Sequence, residues 1–200
     1  MGMTLRVLLG SLLITWALGG CLFTPRDPED PGNGGTGVVW VDPEVLYDAL
    51  GNMERALEAK ALTNYGASFA SGLLEMVLDP GDEADLGEDQ FPDWTKDKEE
   101  ERMRGILTST DATLDVEWFF TPGVSDSIDE SASERYYKDL GYRLTFEEGS
   151  KTSVYSGFAD LWFQDDGTGL WYVSKWIDKR DDTGNLTWGW LRVQKVVTWE

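Results

Sequence analysis

From residue 114 the hydrophobic period changes to two. In "TLDVEWFF", Leu114, Val116, Trp118 and Phe120 fall on every second position, with Asp115 and Glu117 between them. Successive side chains of a strand point to opposite faces, so this run presents one apolar face and one polar face. Four further strand-like runs follow, over residues 136–146, 152–163, 170–177 and 186–196. The turns between them carry "EEGSK", "DDGTG" and "DDTGN", which suit tight hairpins. In "WYVSKWID", Trp171 and Val173 share parity and Trp176 does not; a bulge near Ser174 brings all three onto one face.

The first half of the chain has a different period. In "VDPEVLYDALGNMERALEAKAL", Leu46, Leu50, Met53 and Leu57 recur at helical spacing and give one apolar face. Asp42 is placed to cap that helix, Pro43 suits its first position, and Glu44 complements its positive end. A short helix over residues 62–69 and a strand over residues 73–78 come next. "DPGDEADLGEDQFPDW" breaks all periodicity and reads as an acid-rich loop. Thr95 then caps a third helix, "KDKEEERMRGILTS", whose Met103, Ile106 and Leu107 face inward. Helices followed by an antiparallel meander define an α+β fold, with three N-terminal helices on a mostly antiparallel sheet of five to six strands.

Ahead of this domain, Arg6 precedes an apolar stretch from Val7 to Leu18 that is too short to span a bilayer. A basic start, a short apolar core and small residues before a cut site describe an export signal over residues 1–20. The cut site, Leu18-Gly19-Gly20-Cys21, resembles the bacterial lipobox. That resemblance implies a diacylglyceryl group on the Cys21 sulfur, cleavage just before it, and palmitate-type acylation of the new amino end. The competing reading is an ordinary secretory signal with an incidental cysteine. Several acyl chains on one residue anchor firmly where one chain does not. Leu22, rather than Asp, follows the cysteine, which by resemblance to lipoprotein sorting favours the periplasmic face of the outer membrane. Residues 21–37, rich in Pro and Gly, read as a flexible tether, and residues 38–200 as one domain.

Cys21 is the single cysteine, so no intrachain disulfide can form and the domain stands on its core. The chain has 17 basic and 37 acidic residues, a net charge of −20, and no basic patch to meet phosphates, so nucleic acid is not an expected partner. It has no histidine, which removes the Ser-His-Asp and Cys-His triads and the commonest metal ligand. No Gly-rich phosphate loop follows a strand, and no cofactor or metal centre is expected. The acid-rich loops at residues 79–93 and 178–182 offer oxygen ligands to calcium but lack the Asp-x-Asp-x-Asp-Gly spacing, and read as solvated loops.

The element order, together with "PEVLYDALGNMERALEAKALTNYGASFA", "GLWYVSKWIDKRDD" and the closing "TWGWLRV", resembles the nuclear transport factor 2-like superfamily. The resemblance implies a cone: a strongly curved sheet closed by helices around an apolar pocket. It points to uncharacterised bacterial lipoproteins of that superfamily, whose fold predicts function badly.

Carboxylates and tyrosines remain for chemistry, the groups that ketosteroid isomerase-like and SnoaL-like members use to move a proton beside a carbonyl. Asp160 is the candidate base, because Val154, Phe158 and Trp162 share its parity and burial would raise its pKa. Tyr142 and Tyr65 are the candidate donors. The opposite face of the same run, Tyr155, Leu161 and Phe163, is just as apolar, so Asp160 equally reads as an outward acid paired with Lys138 or Arg143. Trp118, Phe120, Trp162 and Trp176 read as a stacking pocket for an apolar or sugar-like ligand, or as core filling. Trp188 and Trp190 share parity in the last predicted strand; on the outside of the sheet they would form a homodimer or partner surface. The expected role is a binding or interaction domain at the cell envelope, with a carboxylate isomerase or dehydratase, or a purely structural component, as the other readings.

Overall fold

The computed structural model describes residues 37–87, 90–109, 112–120 and 134–197. Cys21, the export signal and nearly all of the tether lie outside the described residues. Five helices and five strands occur among them: α1 (Leu46–Glu58), α2 (Leu62–Ala67), β1 (Glu75–Val77), α3 (Pro80–Leu86), α4 (Lys96–Leu107), β2 (Ala112–Phe119), β3 (Glu134–Glu148), β4 (Lys151–Asp165), β5 (Trp171–Lys179) and α5 (Trp188–Val197). The strands form one sheet in the order β1-β5-β4-β3-β2. β1 runs parallel to β5, and every other pair is antiparallel.

Alternation decides which face each strand buries. On β4, Tyr155, Ala159, Leu161 and Phe163 are buried, while Phe158, Asp160, Trp162 and Gln164 are not. The buried set joins Leu50, Met53 and Leu57 of α1, Met103 and Ile106 of α4, and Trp188 and Leu191 of α5 in one core. Among the described residues the sheet thus has a helix-covered face and an open face. The bulge expected near Ser174 is present: the register passes from Trp162↔Lys175 to Phe163↔Val173, leaving Ser174 unpaired. Trp171, Val173 and Trp176 are consequently all buried. β3 carries a second irregularity between Tyr137 and Leu140, where Asp139 takes a φ of 48°.

Three sequence expectations are corrected. Asp42 does not cap α1, which begins after an extended Val45 with no side-chain cap. Residues 41–43 are held instead by tertiary bonds, Asn52 to both backbone groups of Val41 and Trp171 N–H to the Pro43 carbonyl. The acid-rich loop contains a helix, α3, with Pro80 in its first turn and Asp79 accepting from Gly81 N–H at 2.8 Å. The last predicted strand is the helix α5. Alternation fails at Leu191, whereas Trp188, Leu191 and Arg192 follow helical spacing and are all buried. The Thr187 hydroxyl accepts from Trp190 N–H at 3.4 Å and so starts that helix.

Gly157 lets β4 cross Tyr142. A Cβ built there would lie 2.4 Å from the Lys179 carbonyl oxygen and 2.9 Å from the Tyr142 hydroxyl. Only glycine fits between two such fixed groups.

Candidate functional site

The candidate catalytic set is divided between the two faces. Asp160 sits on the open face and accepts from Asp139 N–H at 2.8 Å and from Lys179 Nζ at 2.6 Å. Its partner is therefore Lys179, not Lys138 or Arg143, and the pair braces the β3 bulge. Burial works against the Lys179 charge, but hydrogen bonds to Asp139 and Asp160 hold its pKa above the usual lysine value. Tyr142 and Tyr65 are both buried on the helix-covered side, away from Asp160.

Two acids occupy that side: Asp178, which is a buried strand residue and not the start of a solvated loop, and Glu99, which the sequence reading did not single out. Asp178 lies on the face shared by Trp176. Its Oδ1 accepts from Tyr142 OH at 2.7 Å and Trp176 Nε1 at 3.1 Å, and its Oδ2 accepts from Gly189 N–H at 2.6 Å. Tyr142 OH in turn accepts from Trp188 N–H at 2.9 Å. Burial pushes the Asp178 carboxyl up to about 6, against the lowering effects of Arg192 and of these hydrogen bonds. Glu99, on the apolar face of α4 with Met103 and Ile106, accepts from Tyr65 OH and from Arg192 Nε at 2.8 Å through Oε1. Its Oε2 accepts from Trp94 Nε1 at 3.0 Å.

Arg192 connects the two groups. Burial would lower its pKa, but Glu99, Tyr65 and Asp178 outweigh that and hold it above the ordinary value. Its guanidinium lies 4.6 Å from the Trp176 ring centre and 5.3 Å from that of Trp188. Burial raises both tyrosines well above the ordinary phenol range, and the carboxylates beside them add to it. At neutral pH they are donors, not bases.

Aromatic packing fills the same volume. Trp118 stacks on Trp188 at 5.9 Å, and Trp176 meets Trp188 edge-on at 4.7 Å. Trp176 and Trp188 are wholly buried. The Trp118 and Trp188 indole N–H groups and Arg192 Nη2 find no acceptor among the described residues, and an unmet buried donor is costly. Phe120 lies apart, 39% exposed and against Tyr47 and Tyr137. Trp190 does not share a surface with Trp188, because the helix turns it toward α3, where its Nε1 donates to Asp82 at 2.7 Å. Asp82 is itself buried, taking Arg180 Nε at 2.6 Å and the Thr187 hydroxyl. Such an acid is a clamp between α3, α5 and Arg180 rather than a solvated loop residue. Among the described residues no group of acids converges as a metal site.

Trp162, of the four proposed stacking residues, lines a cleft formed by described residues. That cleft, of about 650 Å³, lies on the open side of the sheet, between residues 73–76, the segment 91–94 and the outward side chains of β3, β4 and β5. Tyr136, Trp162, Lys175 and Glu75 form a row across four strands. Tyr136 stacks on Trp162 at 5.3 Å, and Lys175 Nζ lies 5.0 Å from the Trp162 ring centre and 2.6 Å from Glu75.

No protein-family model matches the chain, and no curated protein does. Solved structures do. One is a chain of naphthalene 1,2-dioxygenase, determined with indole in the active site, at a TM-score of 0.52 and 7% identity, covering 73% of this chain and 82% of that one. Another is a nuclear transport factor 2-like superfamily protein from Salmonella enterica serovar Typhimurium LT2, at a TM-score of 0.51 and 11% identity, covering 70% and 91%. The fold of this chain is therefore nuclear transport factor 2-like, an α+β domain with a five-stranded mixed sheet.

Proposed function

We propose that the protein is a binding domain whose ligand site is the open-face cleft, and whose buried acids and tyrosines are scaffold. The observation that carries this reading is that every oxygen of the interior acids is engaged inside the fold. Both oxygens of Asp178 and of Glu99 receive internal donors, and Tyr142 both donates and accepts. A general base needs a lone pair directed at substrate. Asp160, the acid nominated for that role, faces away from both tyrosines. The cleft has the volume of a small-molecule site, with Trp162 and Phe91 in its wall and polar or charged side chains making up half of its lining.

Native mass spectrometry of the protein purified from its own host tests this. A retained small molecule is expected, lost in Trp162→Ala and kept in Tyr142→Phe. Retention by Trp162→Ala with loss from Tyr142→Phe, or no retained molecule at all, would overturn it.

The cleavage motif ending at Cys21 supports attachment to the cell envelope through lipid on that cysteine, on the periplasmic face of the outer membrane. No helix among the described residues is long and apolar enough to cross a membrane. Metabolic lipid labelling is expected in the wild type and absent in Cys21→Ser; label that persists in the variant contradicts the anchor.

A further inference from the structure

The open face of the sheet combines exposed apolar side chains with cancelled charge. One row across the strands runs Phe119, Gly141, Phe158 and Lys179, and the next holds Asp160, Ile177 and Val77. Phe119 is 44% exposed, Phe158 36% and Val77 39%. The ion pairs of this face join three cations to four acids: Lys179 to Asp139 and Asp160 at 2.6 Å, Lys175 to Glu75 at 2.6 Å, and Arg143 to Glu117 at 3.8 Å. Over the whole chain the ratio is 17 to 37.

That contrast selects the occupant. A basic partner would be drawn to the acid-rich surfaces elsewhere, where its charge is answered. A second copy, itself carrying a net charge of −20, is repelled by those surfaces and meets least repulsion where charge is already paired. A two-fold contact also needs a self-complementary patch. Phe119 and Phe158 flank Gly141, which has no side chain, so an axis near Gly141 sets each Phe158 against Phe119 of the second copy.

We propose that the protein is a two-fold homodimer joined through the open face, around Phe119, Gly141 and Phe158. Neither phenylalanine lines the cleft, and the dimer does not depend on the cleft holding a ligand.

Native mass spectrometry of the full chain, purified from its own host and released from detergent into ammonium acetate, reads the dimer fraction. A dimer is expected, and more of it as ammonium acetate is raised, because screening relieves the repulsion between two acidic copies. Phe158→Asp buries an unpaired charge in the contact and should weaken the dimer about tenfold or more. Tyr47→Asp makes the same charge change at an exposed residue of α1 and should leave the dimer intact. Phe119→Lys alone should also weaken it. Phe119→Lys and Phe158→Asp in one chain should recover part of the loss, because each new acid then meets a lysine of the other copy. An unfolded single variant could not be rescued in this way. A monomeric wild type, a dimer that Phe158→Asp leaves intact, or one that dissociates as salt rises would overturn the proposal.

Discussion

Asp178 is surrounded by donors, yet burial keeps its carboxyl near 6 against an ordinary value of 3.8. The folded state therefore binds this proton more tightly than the unfolded chain does. Its contribution is greatest below about pH 4 and is lost as pH rises through about 6. At about 1.4 kcal/mol per unit, the loss is about 2–3 kcal/mol for a wholly buried group. Asp178→Asn should remove that slope. Urea midpoints at about pH 4.5 and pH 7.5 should differ less in the variant than in the wild type; equal differences would contradict the assignment. In the sequence, residue 178 reads as the start of a solvated loop, whereas Asp178 is buried. The Ser174 bulge that turns Trp176 inward also turns Asp178 inward, two residues on. Asp160 was not legible, because both parities of β4 are apolar, and the open face carries Phe158 and Trp162 where a polar face would be the rule. Glu99 was masked by its neighbours: one acid on the Met103–Ile106 face is hard to see among the acids that open α4.

At the level of elements, the error over α5 has a physical cause. "LTWGWLRV" alternates for its first residues, and a preceding "DDTGN" invites a hairpin. The chain instead makes one isolated bridge, Leu186 to Tyr155, then turns at Thr187 into a helix. Helical geometry sends Trp188 into the aromatic interior and Trp190 to Asp82, and it aims Arg192 at Glu99. A strand would have left Arg192 on the apolar face without a partner. Arg192→Met should cost about 3–5 kcal/mol, because it strands Glu99 as an unpaired buried charge. Adding Glu99→Gln should recover part of that, since glutamine can still accept from Tyr65 or Trp94. Chemical denaturation of the single and double variants decides it; an Arg192→Met protein as stable as wild type would contradict the ion pair. α3 was missed for a related reason. Leu86 is the one large aliphatic side chain of α3, and the helix is held chiefly by its buried acid, Asp82, bonded to groups distant in sequence.

For the whole molecule, the α+β class and the order of α1, α2, β1, α4 and the strands β2 to β5 were legible because two hydrophobic periods dominate the chain. The division of labour between faces was not, because it depends on the register of β4 and β5 and on the return of α5 across the core. The resulting account is a domain of nuclear transport factor 2-like fold whose described interior is packed with tryptophans and paired acids, and for which we propose a binding site on the open sheet. Hydrogen exchange of the indole N–H groups measures that closure residue by residue. Trp176 and Trp188 should exchange only through global unfolding, while Trp162 exchanges orders of magnitude faster. Exchange at Trp188 and Trp176 as rapid as at Trp162 would mean an interior open to solvent, and would contradict the account.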